Sequence, residues 1–112
     1  MPRIDTRRPT QATIGRMVKR IVKKFAPEQV ILFGSHARGD AGPDSDVDLL
    51  VVMKFEGSAR DKGLEIVQAL HDLLVSVDVI VSSPGDFAWR KDVVGTIEWP
   101  AAREGKVLYA HS

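Results

Sequence analysis

From Thr10 onward the apolar positions fall at Ile14, Met17, Val18, Ile21, Val22 and Phe25, the repeat of a helix with one buried face. Thr10 is a suitable N-cap and Pro27 forbids continuation, so a helix is predicted over 10–25. The apolar run Val30-Ile31-Leu32-Phe33 predicts a strand over 29–33, followed by a turn of helix from about Ser35 and a loop over 39–45. A second strand, 46–53, is apolar on both faces after Asp48, as a central strand covered on both sides would be. Ser58 with Asp61 three residues on resembles a capping box and opens a predicted helix over 58–75. Its expected apolar face is Leu64, Val67, Leu70 and Leu74, with Ile66 and Leu73 alongside. A strand over 77–82 follows, and Ser83-Pro84 has the form of N-cap and first position of a short helix. Segment 92–104 reads as helical with an interruption at Pro100, and 106–109 as a last short strand. The order helix–strand–strand–helix–strand–helix predicts an α/β fold, a mixed sheet flanked by helices.

Composition narrows the picture modestly. A chain of 112 residues has room for one domain, and 44% apolar with 28% charged content excludes wholesale disorder. The absence of cysteine removes disulfides and thiolate metal sites and leads us to expect a cytoplasmic protein. No stretch approaches the ~18 apolar residues of a membrane span, so a membrane partner is not expected. Residues 1–9, with two prolines and three arginines, are expected to form a flexible basic tail.

Charge is unevenly spread. Residues 1–24 hold eight Lys/Arg against Asp5 alone, a net of +7, so the remainder carries −6 toward the total of +1. Such a face is either solvated or meets an acidic partner or nucleic acid. No aromatic residue interleaves with these charges, which argues against a stacking platform and against nucleic acid as the substrate.

The candidate chemistry lies around the second strand. Gly34-Ser35 follows the first strand, and Asp46-Val47-Asp48 opens the second. Alternation puts Asp46 and Asp48 on one face, roughly 6–7 Å apart along the backbone. Two hard oxygen ligands suit Mg²⁺ held jointly with substrate phosphates, and a glycine–serine turn can offer N–H groups and a hydroxyl to a phosphate. Asp78, inside an otherwise apolar strand, is costly there unless paired or metal-bound. If strand 77–82 lies beside strand 46–53, three carboxylates can hold two Mg²⁺ about 3.5–4 Å apart, the arrangement for in-line phosphoryl or nucleotidyl transfer.

Two other motifs fail on inspection. Gly34 to Gly39 begins like a phosphate-binding loop, but Asp40 stands where lysine is required. Asp44, Asp46 and Asp48 begin like a calcium loop, but Leu49 and Phe55 occupy the glycine and glutamate positions.

Gly34-Ser35, the ten residues 36–45, Asp46-Val47-Asp48 and the later Asp78 together resemble the nucleotidyltransferase superfamily with a DNA-polymerase-β-like palm. At this length the chain is most similar to the minimal nucleotidyltransferase group, often antitoxins paired with a HEPN-domain ribonuclease toxin. The resemblance spans roughly 10–110 and implies one such domain over 10–112 and transfer of AMP from Mg-ATP to a tyrosine hydroxyl of that partner. It further implies that Gly34 and Ser35 bind the triphosphate and that Asp46 and Asp48 bridge two Mg²⁺. Asp78 would hold the metal that activates the acceptor. Arg38, in the stretch Gly34-Ser35-His36-Ala37-Arg38-Gly39, either touches phosphate or serves the structure by pairing with Asp44 or capping carbonyls. His36 is expected on a helix face, and His71 and His111 are expected to be structural or solvated.

Two alternatives stay open. One is an antitoxin that neutralises its partner by binding alone. The other is a small-molecule nucleotidyltransferase, although such enzymes usually add a second domain to shape the acceptor pocket. Phe87, Trp89, Val93, Val94, Ile97 and Trp99 form either a helix packed on the sheet or a partner-docking face.

Overall fold

The computed structural model describes residues 10–42 and 44–111, so the expected basic tail over 1–9 lies outside the described residues. Helix α1, Gln11–Phe25, is capped by Thr10, whose hydroxyl accepts from the Thr13 N–H at 3.1 Å. It buries Ile14, Met17, Val18 and Ile21 and ends at Ala26 in the left-handed region, ahead of Pro27. Lys23 and Lys24 occupy its last turn, where the helix dipole favours cations.

Strand β1, Gln29–Phe33, leads into a single helical turn, α2, Ser35–Arg38, and then to strand β2, Val47–Val52. Helix α3, Ala59–Ala69, crosses over to strand β3, Val77–Ser82. Helices α4, Pro84–Arg90, and α5, Glu98–Glu104, then return the chain to strand β4, Lys106–Ala110. The sheet order is β3-β2-β1-β4. β1 pairs antiparallel with β2 and β4, and β2 pairs parallel with β3. The sheet is therefore mixed, as predicted.

β2 is central, and alternate residues feed two cores. Val47, Leu49 and Val51 pack with α1 and with Ile66 and Leu70 from the α3 side. Leu50 and Val52 pack on the opposite face with Ile31, Phe33 and Ala101. Burial on both sides explains why the run 49–52 has no polar residue. Asp48 belongs to the second face.

Two expected elements are corrected. The helix over 58–75 stops at Ala69 and continues only as a 3₁₀ turn, His71–Leu73, before Leu74 enters the left-handed region. Arg20 on α1 donates to the Ala69 carbonyl at 3.1 Å and also bonds Asp72, so a tertiary guanidinium satisfies the helix end. The buried face is Gly63, Ile66 and Leu70, whereas Leu64 and Leu74 are 51% and 63% exposed. Gly63 faces the sheet: a Cβ there would lie 2.8 Å from the Val79 carbonyl oxygen, so the lack of a side chain sets how closely α3 approaches.

Segment 92–104 is helical only from Glu98. Pro100 does not interrupt it, because it sits in the first turn, where backbone N–H groups have no helical partner. Thr96 supplies the start: its hydroxyl accepts from the Trp99 N–H at 3.2 Å and donates to the Arg90 carbonyl at 2.8 Å. The buried Glu98 carboxylate accepts from the Ser82 hydroxyl at 2.9 Å and from Arg90 Nε at 3.1 Å, tying this crossover to β3.

Candidate active site

The candidate residues collect where β1 ends and β2 and β3 begin. Gly34 turns the chain out of β1 with φ 76° and ψ −156°, a conformation essentially reserved for glycine. Its carbonyl accepts from the N–H groups of Ala37 and Arg38, both at 3.1 Å, which forms α2 with Ser35 as its first residue. Gly39, φ 85°, ends the turn.

The ladder supplies the decisive alignment. Asp48 is opposite Phe33 in the antiparallel pair and opposite Asp78 in the parallel pair. Residues paired in register present their side chains to one face. Asp46 lies two residues earlier on the same side, and its Oδ1 accepts from the Ser76 hydroxyl at 2.5 Å. Ser76 also accepts the Val47 N–H at 3.0 Å through its carbonyl, so it fixes both the start of the β2–β3 pairing and the carboxylate beside it.

These groups sense one another electrostatically. Burial, then the nearby charges of Asp78 and Asp46, hold the Asp48 carboxyl above the ordinary carboxylate range, while His36 and Arg38 pull it back. The crowding extends to the backbone: a Cβ on Gly34 would lie 2.4 Å from Asp48 Oδ2. Only a glycine permits that carboxylate to stand against the turn.

Three hard oxygen donors on one face fit a divalent cation, whose charge would offset the burial and the repulsion that raise Asp48. Among the described residues, however, no three acidic or imidazole groups are already drawn into a metal-ligating cluster. Asp48 and Asp78 stand side by side across the ladder, and Asp46 is held beside them by Ser76.

The remaining candidates divide. Ser35, half-buried, opens α2 next to Gly34. Arg38 is near enough to influence Asp48, but its Nε bonds Asp40 at 3.3 Å, not Asp44 as its structural role had suggested. His36 is half-buried on α2, and its Nε2 meets the Ser45 carbonyl at 3.1 Å, closing the loop onto the start of β2. Ser76 is the residue that sequence reasoning missed. Its signal was its place two residues before Asp78, matching the step from Asp46 to Asp48, but that spacing has meaning only once β2 and β3 are known to run parallel.

The apolar residues of the last third leave a partly open surface. Phe87 packs against the second core, whereas Trp89, Val94 and Ile97 are 55%, 76% and 41% exposed. They follow the C-terminal end of β3, at the opposite end of the strand from Asp78. Among the described residues no helix is long and apolar enough to cross a membrane.

Comparison with known proteins agrees with this layout. A "Protein adenylyltransferase MntA" from Thermococcus cleftensis is 36% identical over 66 residues, covering 58% of this chain and 66% of its own. A Methanocaldococcus jannaschii protein, provisionally named a protein adenylyltransferase, is 36% identical over 55 residues, covering 49% of this chain and 54% of its own. The matched region thus spans about half to two thirds of the length of these relatives. A crystal structure described as a toxin–antitoxin with AMP-PNP shares the fold at a TM-score of 0.61 and 19% identity, covering 88% of this chain and 74% of that one. Residues 14–101 match the family model described as "Nucleotidyltransferase domain", a span that contains the glycine turn and all three aspartates. The chain belongs to the nucleotidyltransferase domain family.

Proposed function

We propose that the protein is a Mg²⁺-dependent protein adenylyltransferase that moves AMP from ATP to a tyrosine hydroxyl of a cognate HEPN ribonuclease toxin in the cytoplasm, and so acts as its antitoxin. The observation that carries the enzymatic part is the register of Asp48 with Asp78 on parallel strands, with Gly34 leaving room for the carboxylate. The relatives named as protein adenylyltransferases and the fold shared with a toxin–antitoxin crystallised with AMP-PNP support the choice of substrate and partner.

In this scheme Gly34 and Ser35 bind the triphosphate, with Arg38 close to its charge. Asp46 and Asp48 would hold two Mg²⁺ in common, and Asp78 would complete the site of one of them. When bound, the metal supplies charge neutralisation for the triphosphate and lowers the pKa of the acceptor hydroxyl. The acceptor oxygen attacks the α-phosphorus, the bond from that phosphorus to the bridging oxygen breaks, and pyrophosphate leaves. Asp78, exposed at the edge of the sheet, takes up the hydroxyl proton.

The test is incubation of α-labelled ATP, Mg²⁺ and the protein encoded beside this one, with wild type, Asp46→Ala/Asp48→Ala and Asp78→Asn. Label is expected on the partner with wild type only. Transfer by the double variant refutes the assignment of the metal-holding pair, and full transfer by Asp78→Asn removes Asp78 from the site. The exposed apolar surface of Trp89, Val94 and Ile97 favours one competing reading, neutralisation by binding alone. Protection of the partner without label would select it.

A further inference from the structure

One groove among the described residues is lined by none of the three aspartates. It encloses about 740 Å³ between α1 and β4, on the sheet face opposite Asp48. Ile14, Val18, Leu32 and Tyr109 line it with apolar surface. A register shift between Val30 and Ile31 brings the consecutive residues Leu108 and Tyr109 both to its wall. Around it stand Lys19, Lys23 and Lys106, all exposed, and among the described residues none of them pairs with a carboxylate.

The groove also runs beside a free sheet edge. β4 is the outermost strand, and among the described residues nothing pairs with its far side, although Val107 and Leu108 are 57% and 36% exposed. Exposed apolar edges are templates for added strands unless charge or a covering element blocks them. We infer that this edge and groove dock an extended segment of a partner protein, apolar at alternate positions and acidic at the flanks. Its backbone adds to β4, its apolar side chains enter the groove, and its carboxylates meet the three lysines. The inference is independent of the transfer chemistry.

Charge decides against the nearer occupants. A second copy docking through the same face would bring two lysine-bearing helices together. The chain's own residues 1–9 carry Arg3, Arg7 and Arg8 against Asp5, the wrong sign for a lysine rim.

The experiment is an NMR titration of the full ¹⁵N-labelled chain with two nine-residue peptides, one alternating valine with glutamate and one alternating valine with lysine. The acidic peptide is expected to bind saturably and to shift the amides of 106–110 and of α1 around Lys19. Lys19→Glu/Lys23→Glu, on exposed positions, should weaken it on the order of tenfold and improve binding of the basic peptide. Equal affinity for both peptides, shifts confined to residues 34–48, or no saturable binding overturns the inference. So does self-association that shifts the same amides on concentration of the chain alone.

Discussion

Gly34 and Gly39 flank α2 and share a positive φ, 76° and 85°, yet a side chain would meet different surroundings at each. An alanine Cβ at 39 has nothing within 4 Å, whereas at 34 it lies 2.4 Å from Asp48 Oδ2 and 3.3 Å from its Cγ. The backbone penalty is about 1–3 kcal/mol for Gly34→Ala in its nearly glycine-only region and about 1–2 kcal/mol for Gly39→Ala. With an unfolding entropy of about 2.1 cal/mol/K per residue over 112 residues, the melting temperature should fall by about 4–13 °C and 4–9 °C respectively. Relieving the contact at 34 displaces the carboxylate by about 1 Å, a misplacement that costs on the order of 10²-fold in rate. Circular-dichroism melts and transfer of label from ATP to the partner separate the two effects. Both variants should fold, with Gly39→Ala within a few-fold of wild-type activity and Gly34→Ala down about 100-fold. Equal activity in the two, whether high or low, would refute the claim that Gly34 exists to seat Asp48.

Asp48→Asn should abolish transfer and raise stability at neutral pH, because it removes a carboxylate that burial, Asp78 and Asp46 disfavour. The sign follows from a folded pKa above the unfolded one. No cost exists below the unfolded value, and stability is lost as pH rises through the window up to the raised value. The gap between variant and wild type should therefore open across that window and stay flat above it; melts showing a constant gap down to strong acid would contradict this. Ser76→Ala frees Asp46 and should lower transfer about tenfold, an effect of about 1.4 kcal/mol, with a higher Mg²⁺ requirement that Ser76→Thr restores. An unchanged Mg²⁺ titration would leave Ser76 with a purely structural role. Glu98→Ala strands the buried Ser82 hydroxyl and unties Arg90, and should cost about 1–3 kcal/mol in a urea melt while transfer persists in the folded fraction.

Much of the fold was legible because local rules and tertiary packing agreed. Thr10, Ser58 and Ser83 cap helices as predicted, each hydroxyl accepting an N–H three residues on, because capping depends only on neighbours in the chain. Strands 29–33 and 77–82 have the predicted limits. Two errors have different origins: Arg20, 49 residues away in the chain, ends α3 and is invisible to periodicity, whereas Thr96 is a local cap of α5 that the apolar pattern over 92–104 did not reveal. Gly63 also misled the choice of buried face, since an empty side chain scores as no signal although it marks the closest approach to the sheet.

For the site, the sequence by itself determined the ingredients: a glycine–serine turn, two acids at strand spacing and a lone acid in an apolar strand. Alternation along one strand is a local property, so the shared face of Asp46 and Asp48 needed no third dimension. Only the tertiary structure decided that β2 and β3 run parallel in the register that faces Asp48 with Asp78, and that Ser76 holds Asp46. It also opened the groove beside β4, which depends on how far α1 reaches across the sheet. Register and interelement gaps are set by the packing of residues far apart in the chain, and no local pattern encodes them.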